Sequence, residues 1–162
     1  MNLNREEIER LWSQVTPKLY GYLSHTLRDA ALADDILQAT WLKALESLPT
    51  FEDRGLGFSP WIFSIAKNEM RMHWRTAGRQ VAYEPDVHDI PKDDKNYEDV
   101  ILVEQVLKYL PDEDQEMLRL RFIADLSMAE MSKVLKMNPI ATRVKMHRTM
   151  NRVRSAVHKK ST

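Results

Sequence analysis

Apolar side chains recur at helical spacing through most of the chain. One stripe after Asn4 consists of Ile8, Leu11, Trp12 and Val15, and a later stripe runs through Ala33, Leu37, Thr40, Ala44 and Leu48. Repeats at i, i+3 and i+4 predict amphipathic helices. Polar residues mark where helices start: Asn4 with Glu7 has the spacing of a capping box, and Asp29 can cap the later stripe. The pattern predicts an all-α fold.

Two prolines preceded by cap residues predict further helix starts. Thr16-Pro17 and Ser59-Pro60 each place a cap residue before a proline that suits the first helical position. The helix from Pro60 takes its apolar face from Trp61, Ile62, Ile65 and Ala66 and fades near Gly78. Between the helices, Phe51–Ser59 is predicted to form a loop.

Residues 81–97 lack any apolar period and are rich in acids and prolines. Such a segment is typical of a flexible linker. We therefore predict two small helical domains, at 1–80 and 98–162, joined by a flexible acidic linker at 81–97.

The second domain ends in two helices separated by a short turn. Ser127 with Glu130 predicts a capping box on a short helix that ends near Leu135. Asn138-Pro139 then opens a long helix to about Val157. A short helix, a turn and a long basic helix predict a helix-turn-helix.

Charge is strongly sorted along a chain whose formal net charge is +0. From Glu84 to Glu116 there are twelve acids and three bases, whereas from Met131 to Thr162 there are nine bases and no acid. Because a solvated helix usually mixes charges of both signs, an acid-free helix favours a polyanion-binding surface. The alternative is a merely solvated basic helix.

The long helix offers candidate DNA contacts away from its apolar stripe. Arg143, Lys145 and Arg148 lie in its first half, where they would reach base edges in a major groove. His147 lies beside them. The bases further along would meet phosphates: Arg152, Arg154, Lys159 and Lys160.

A second basic face is predicted on the helix that follows Pro60. Lys67, Arg71, Trp74 and Arg75 share one side of it, with Asn68 alongside. An exposed aromatic ring among cations can stack on an unpaired base while the cations follow the backbone. Equally compatible with the pattern is a Trp74 that packs into the domain, with solvated cations around it.

Several function classes are disfavoured by composition. The chain has no cysteine, which excludes disulfides and thiolate metal sites. We find no glycine-rich phosphate loop, no metal-spaced histidine pair and no nucleophile–base arrangement, so we expect neither an enzyme nor a cofactor or metal site. The first residues lack a signal-peptide core and no long apolar run occurs, which predicts a cytoplasmic protein without membrane insertion.

Four stretches in order resemble sigma factors of the extracytoplasmic-function group. They are Ala33-Asp34-Asp35-Ile36-Leu37-Gln38-Ala39-Thr40-Trp41-Leu42-Lys43-Ala44, Phe58–Asn68 with Arg75, Leu110–Met131, and Arg143-Val144-Lys145-Met146-His147-Arg148. The resemblance covers nearly the whole chain. The chain departs from the family near Lys136, where relatives usually have glycine, and at Leu32, where an acid is common.

The resemblance implies a sigma factor that binds RNA polymerase core and directs promoter-specific initiation. It implies that Asp34, Asp35, Gln38 and Trp41 contact the clamp helices of the polymerase, whose flap is a further partner. The basic face with Lys67, Asn68, Arg71, Trp74 and Arg75 would capture the unstacked minus-10 strand, and the C-terminal helix would read the minus-35 duplex. An anti-sigma factor is a further implied partner.

Two other functions are compatible with the same helices. A sigma-like mimic would bind an anti-sigma factor without reading DNA, but it has no need of an acid-free basic helix. A stand-alone helix-turn-helix regulator would not need the tryptophan-containing N-terminal face, and would usually dimerise on paired half-sites.

Overall fold

The computed structural model describes residues 3–77 and 105–160, and all regular structure in those two ranges is helical. The chain divides into two compact units, Met1–Ile90 and Pro91–Thr162. The purely helical regular structure of the described residues agrees with the predicted all-α fold class. The predicted linker at 81–97 lies outside the described residues.

Three helices form the N-terminal unit. They are α1 (Arg5–Leu27), α2 (Ala30–Ser47) and α3 (Ser59–Thr76), with a 3-10 turn at Leu48–Thr50 after α2. Helix α2 packs against both α1 and α3. The fully buried side chains that fill the space between them include Leu19, Tyr22, Leu23, Ile62, Phe63 and Met70.

The predicted N-terminal caps of α1 and α2 are confirmed. The Glu7 amide donates to Asn4 Oδ1 and the Asn4 amide donates to Glu7 Oε2, each at 2.9 Å. The Leu32 amide donates to Asp29 Oδ1 at 3.0 Å. These side chains satisfy amides that have no partner inside the helix, so the local sequence fixes where α1 and α2 begin.

The prediction that a new helix starts at Pro17 is wrong, because α1 continues through it. Proline removes one backbone hydrogen bond and costs a helix interior about 3 kcal/mol. Val15 and Leu19 flank it and are both buried, and burial of each such side chain contributes about 1.5–3 kcal/mol. Core packing therefore offsets the local cost and keeps the helix continuous.

Helix α3 begins one residue earlier than predicted. Ser59 is its first residue, Phe58 occupies the cap position without a side-chain cap, and Pro60 lies in the first turn. The buried face also includes Phe63 and Met70, which the predicted stripe did not contain.

Helical segments also build the C-terminal unit. Residues 105–107 are α-helical, and they are followed by α4 (Asp112–Leu118), a π-helical segment at Arg119–Ile123, α5 (Met128–Leu135) and α6 (Pro139–Lys160). The π segment, where the Ala124 amide donates to the Arg119 carbonyl at 2.9 Å, was not predicted. Within this segment Leu120 is buried and Phe122 is exposed.

Three residues join α5 to α6, and each helix is capped locally. Ser127 and Glu130 form the predicted capping box. Lys136 adopts the left-handed conformation that usually suits glycine, with φ of 54°, and the Ile140 amide donates to Asn138 Oδ1 at 2.8 Å. Between the helices, the buried hydroxyls of Ser132 and Thr142 lie 2.9 Å apart. These contacts fix the orientation of α6 relative to α5.

Candidate nucleic-acid interface

The orientation of α6 is set by two buried threonines. Thr142 and Thr149 are fully buried and mark the inward side, while Met146, Met150 and Val153 are half-buried beside them. Because each residue turns a helix by about 100°, positions one or two residues from a buried threonine turn away from the core. Arg143, His147 and Arg148 are exposed on that outward side.

Two of the predicted DNA-contacting cations are bound to acids on α4. Arg152 Nη1 lies 2.8 Å from Asp114 Oδ2 and 3.0 Å from Oδ1, and Lys145 Nζ lies 3.1 Å from Glu113 Oε2. Thr149 Oγ1 donates to Asp114 Oδ1 at 2.6 Å. The Asp114 carboxylate is buried, so its ion pair with Arg152 compensates a charge that has been removed from water.

The sequence did not indicate this use of Arg152, because its partner lies 38 residues away. The guanidinium remains half in solvent, but it holds α4 against α6. Arg154 has a local contact, since its Nη1 donates to Asn151 Oδ1 at 2.9 Å. The side chains of Lys159 and Lys160 lie outside the described set.

Two apolar side chains on the outward side of α6 were missed. Ile140 is 71% exposed and Val144 is 45% exposed. They lie one turn apart and are out of phase with the buried threonines. Their position outside the apolar core stripe is visible in the sequence. An apolar residue at such a position on a basic helix indicates a contact other than the core.

The predicted basic face on α3 is exposed. Asn68, Arg71 and Arg75 are exposed, Lys67 is half-buried, and Trp74 is 49% exposed. Of the two interpretations left open for Trp74, the structure favours the surface position. The Asn68 side-chain amide lies 3.6 Å from Met72 Sδ, within the same helix.

The loop before α3 is organised by one carboxylate. Asp53 Oδ1 accepts from the amides of Gly55 at 2.8 Å and of Gly57 at 3.0 Å. Both glycines have positive φ, 94° and 77°, which a side chain would strain. The sequence therefore specifies a compact loop at the start of α3.

Helix α2 carries the third predicted surface, with one correction. Asp34, Asp35 and Gln38 are exposed, but Trp41 is only 4% exposed. Its ring lies 4.4 Å from that of Trp12 and 5.9 Å from that of Phe58, measured between centroids. The family resemblance implied a polymerase contact at Trp41, yet aromatic packing draws its ring into the core.

Exposed leucines extend this α2 surface. Leu42 and Leu45 are both exposed, Leu42 one turn beyond Gln38. Sequence reasoning did not select them, because leucine on an amphipathic helix is normally assigned to the core.

The described residues contain no cluster of three or more side chains arranged to hold a metal ion. Among their helices, none has the length and hydropathy that crossing a membrane would require.

Comparison with known proteins gives a consistent result. Residues 11–80 match the family Sigma-70 region 2. Over 149 residues the chain is 27% identical to the ECF RNA polymerase sigma factor BldN of Streptomyces coelicolor, covering 87% of this chain and 56% of that protein. Over 131 residues it is 29% identical to the RNA polymerase sigma factor SigZ of Bacillus subtilis, covering 79% and 74%. The chain thus spans little more than half the length of BldN.

Solved structures agree on the fold. The sigma factor RpoE in complex with the anti-sigma factor NepR, from Bartonella quintana, superposes with a TM-score of 0.78 at 20% identity, over 94% of this chain and 98% of that one. CnrH in complex with the cytosolic domain of CnrY gives 0.70 at 22% identity, over 98% and 92%. The region 2 match at residues 11–80, curated relatives of one kind and this fold together support an extracytoplasmic-function sigma factor.

Proposed function

We propose that this chain binds RNA polymerase core in the cytoplasm and directs initiation at specific promoters. The exposed Trp74 among the cations of α3 is the observation that carries this proposal within the family. Neither a mimic nor a duplex-binding regulator needs an exposed ring there, whereas a protein that captures single-stranded DNA does. Polymerase supplies the chemistry, and this chain supplies promoter selection.

In the proposal, the N-terminal domain (1–80) captures the minus-10 strand on α3. Trp74 stacks on an unpaired base, and Lys67, Arg71 and Arg75 follow the phosphates with Asn68 beside them. The compact loop held by Asp53 borders this surface along the chain. Support comes from the position of these side chains on a single helix, where all of them except the half-buried Lys67 are exposed.

The C-terminal domain (98–162) uses α5 and α6 as a helix-turn-helix on the minus-35 duplex. Arg143 and Arg148 contact base edges, and His147 lies between them on the outward side. Lys145 and Arg152 contribute mainly by joining α6 to α4, so we assign them a smaller share of the DNA contacts than the sequence suggested. Arg154, Lys159 and Lys160 meet phosphates further along.

Polymerase core binds α2 through its clamp helices. Asp34, Asp35 and Gln38 provide the polar contacts, and the exposed Leu42 and Leu45 add apolar area. Trp41 supports this helix from inside the domain rather than touching the polymerase. The C-terminal domain binds the polymerase flap in this proposal, and the segment 81–97 joins the two domains.

An anti-sigma factor is the proposed regulator. The sigma factor RpoE, whose fold is similar, was solved with the anti-sigma factor NepR bound. The partner of this chain would cover the DNA-binding or polymerase-binding surfaces and so keep it inactive.

The test is a pull-down with purified polymerase core, followed by transcription in vitro from a library of genomic fragments. We expect stable core binding and new, defined start sites. Asp35→Lys should weaken core binding at least tenfold by placing a like charge against a basic site, while Glu46→Lys, exposed on the same helix, serves as the matched control. Core binding without transcripts would favour a mimic, and no core binding would favour a stand-alone regulator.

A further inference from the structure

The outward side of α6 has an apolar centre with cationic edges. Ile140 and Val144 occupy successive turns, and Arg143, His147 and Arg148 lie three or four positions from one or both of them. All five are exposed. An isoleucine left 71% in water gains almost nothing from folding, so its presence needs a reason outside this unit.

The position of this pair follows from helix geometry. Thr142 lies two residues from each of them and is fully buried, and Thr149 repeats that inward direction two turns later. Two residues correspond to about 200° of rotation, so Ile140 and Val144 lie nearly opposite the core. The capping contact of the Ile140 amide with Asn138 Oδ1, at 2.8 Å, fixes the first turn of the helix that presents them.

Charge indicates what covers this surface. From Met131 to Thr162 the chain has nine bases and no acid, so the complementary partner is a polyanion. An apolar side chain on a helix in the major groove has a specific partner there, the C5 methyl group of thymine, which no other base carries.

We propose that Ile140 and Val144 select thymines in the duplex bound by α6, through van der Waals contact with their methyl groups. This inference rests on the proposed DNA-binding role of the C-terminal domain and names what it recognises. Four residues of helix rise about 6 Å, and base pairs repeat every 3.4 Å, so the two side chains reach positions about two steps apart. The cations at the edges position the helix, while the apolar pair distinguishes T·A from the other pairs.

The test removes single methyl groups from DNA. Holoenzyme is reconstituted from the full chain and polymerase core, and its binding to the upstream element of an identified promoter is measured with each thymine in turn replaced by deoxyuridine. A buried methyl group corresponds to about fourfold in affinity, which is the loss we expect at one or two thymines. At the thymine contacted by Ile140, the Ile140→Ala variant should bind thymine and uracil probes with equal affinity. At the thymine contacted by Val144, the Val144→Ala variant should do the same.

Val157→Ala provides the matched control. It is a valine on the same helix with nearly the same exposure, 47% against 45% for Val144, but it lies more than three turns away. It should keep the full thymine preference of the wild type. All three residues are exposed, so their replacement should leave the unfolding curve unchanged.

Two results would overturn the proposal in distinguishable ways. In the first, the holoenzyme protects the upstream element, but no deoxyuridine substitution weakens binding or the alanine variants keep the wild-type thymine preference. The apolar pair then does not touch methyl groups, while the DNA-binding role of α6 survives. If the holoenzyme gives defined start sites yet never contacts an upstream duplex, the role of α6 in DNA binding fails and this inference fails with it.

Discussion

The two cationic surfaces of this protein differ in how they are supported. On α3, the cations and Trp74 share one side of a single helix, and the Asn68 side-chain amide contacts Met72 within that helix. On α6, Lys145 and Arg152 are tied to α4 by ion pairs, one of them to the buried Asp114. The grooves of a double helix have a regular geometry, so a binding surface that is held rigidly in place fits them well. An unpaired strand has no fixed shape, and a protruding aromatic ring among cations can stack on its exposed bases.

The largest expected effect tests the support of α6. Asp114→Asn keeps the size of the side chain but removes the charge that Arg152 and Thr149 contact. We expect the free energy of unfolding of the C-terminal unit to fall by about 2–3 kcal/mol. Urea denaturation followed by far-UV circular dichroism measures it.

The tryptophans provide an internal control for that measurement. All of them lie between Trp12 and Trp74, so tryptophan fluorescence reports the N-terminal unit alone and should be unaffected. Asp112→Asn, an exposed acid on the same helix, should change stability by less than about 0.5 kcal/mol. Equal destabilisation by both variants would mean that α4 charge in general, and not the buried pair, stabilises the unit.

The next effect tests whether α3 handles single strands. Trp74→Ala should reduce open-complex formation by about tenfold or more, because a base stacked on an aromatic ring is worth about 1–3 kcal/mol. Closed-complex formation should change much less. Permanganate reactivity of the melted region, compared with a footprint of the closed complex, separates the two steps.

Met72→Ala is the matched variant for this comparison, since Met72 is a large exposed apolar residue on the same helix. It should leave both steps near the wild-type level. Equal losses at both steps in Trp74→Ala would count against strand capture and remove the contrast between the two surfaces.

Arg148 and Arg152 allow a direct comparison on α6. Arg148→Ala should weaken binding to the upstream duplex by about 1–2 kcal/mol and reduce the slope of log affinity against log salt by about 1. Arg152→Ala should change that slope less, because its guanidinium already has a carboxylate partner. It should lower stability instead. Identical salt slopes for the two variants would indicate that Arg152 reaches DNA as readily as Arg148 does.

The smallest effect concerns the turn before α6. Lys136→Gly relieves the left-handed conformation and should raise the stability of the C-terminal unit by up to about 1 kcal/mol, as seen in its urea midpoint. Lys133→Gly, in the adjoining helix, should instead destabilise by about 1 kcal/mol. No gain from glycine at 136 would mean that the lysine side chain makes a compensating contact.

Local signals in the sequence were sufficient to locate most helices. The capping boxes at Asn4 and Ser127 each satisfy amides within the next three residues, so they act independently of the rest of the fold. Pro17 misled the prediction because its effect depends on burial of its neighbours, which the local sequence does not contain. The π segment at Arg119–Ile123 has no residue pattern of its own.

Site residues were predictable where exposure follows from helical phase. Arg148 lies out of phase with the core of α6. Trp74 instead follows the buried Met70 by four positions, so helical phase alone left its exposure open. The interpretation was incomplete for Arg152 because a buried acid 38 positions away determines its role. Trp41 was misplaced because its packing against Trp12 and Phe58 joins three separate segments of the chain.

The buried Asp114 also bears on how fast the C-terminal unit forms and comes apart. Its bond to Thr149 joins residues 35 apart, whereas the Ser132–Thr142 contact between α5 and α6 joins residues 10 apart. Closing the longer loop costs about 1 kcal/mol more in chain entropy, so we expect α5 and α6 to pair before α4 docks. An interaction formed after the transition state slows unfolding without speeding folding. The carboxylate would then govern the lifetime of the folded unit, with little influence on the time needed to reach it.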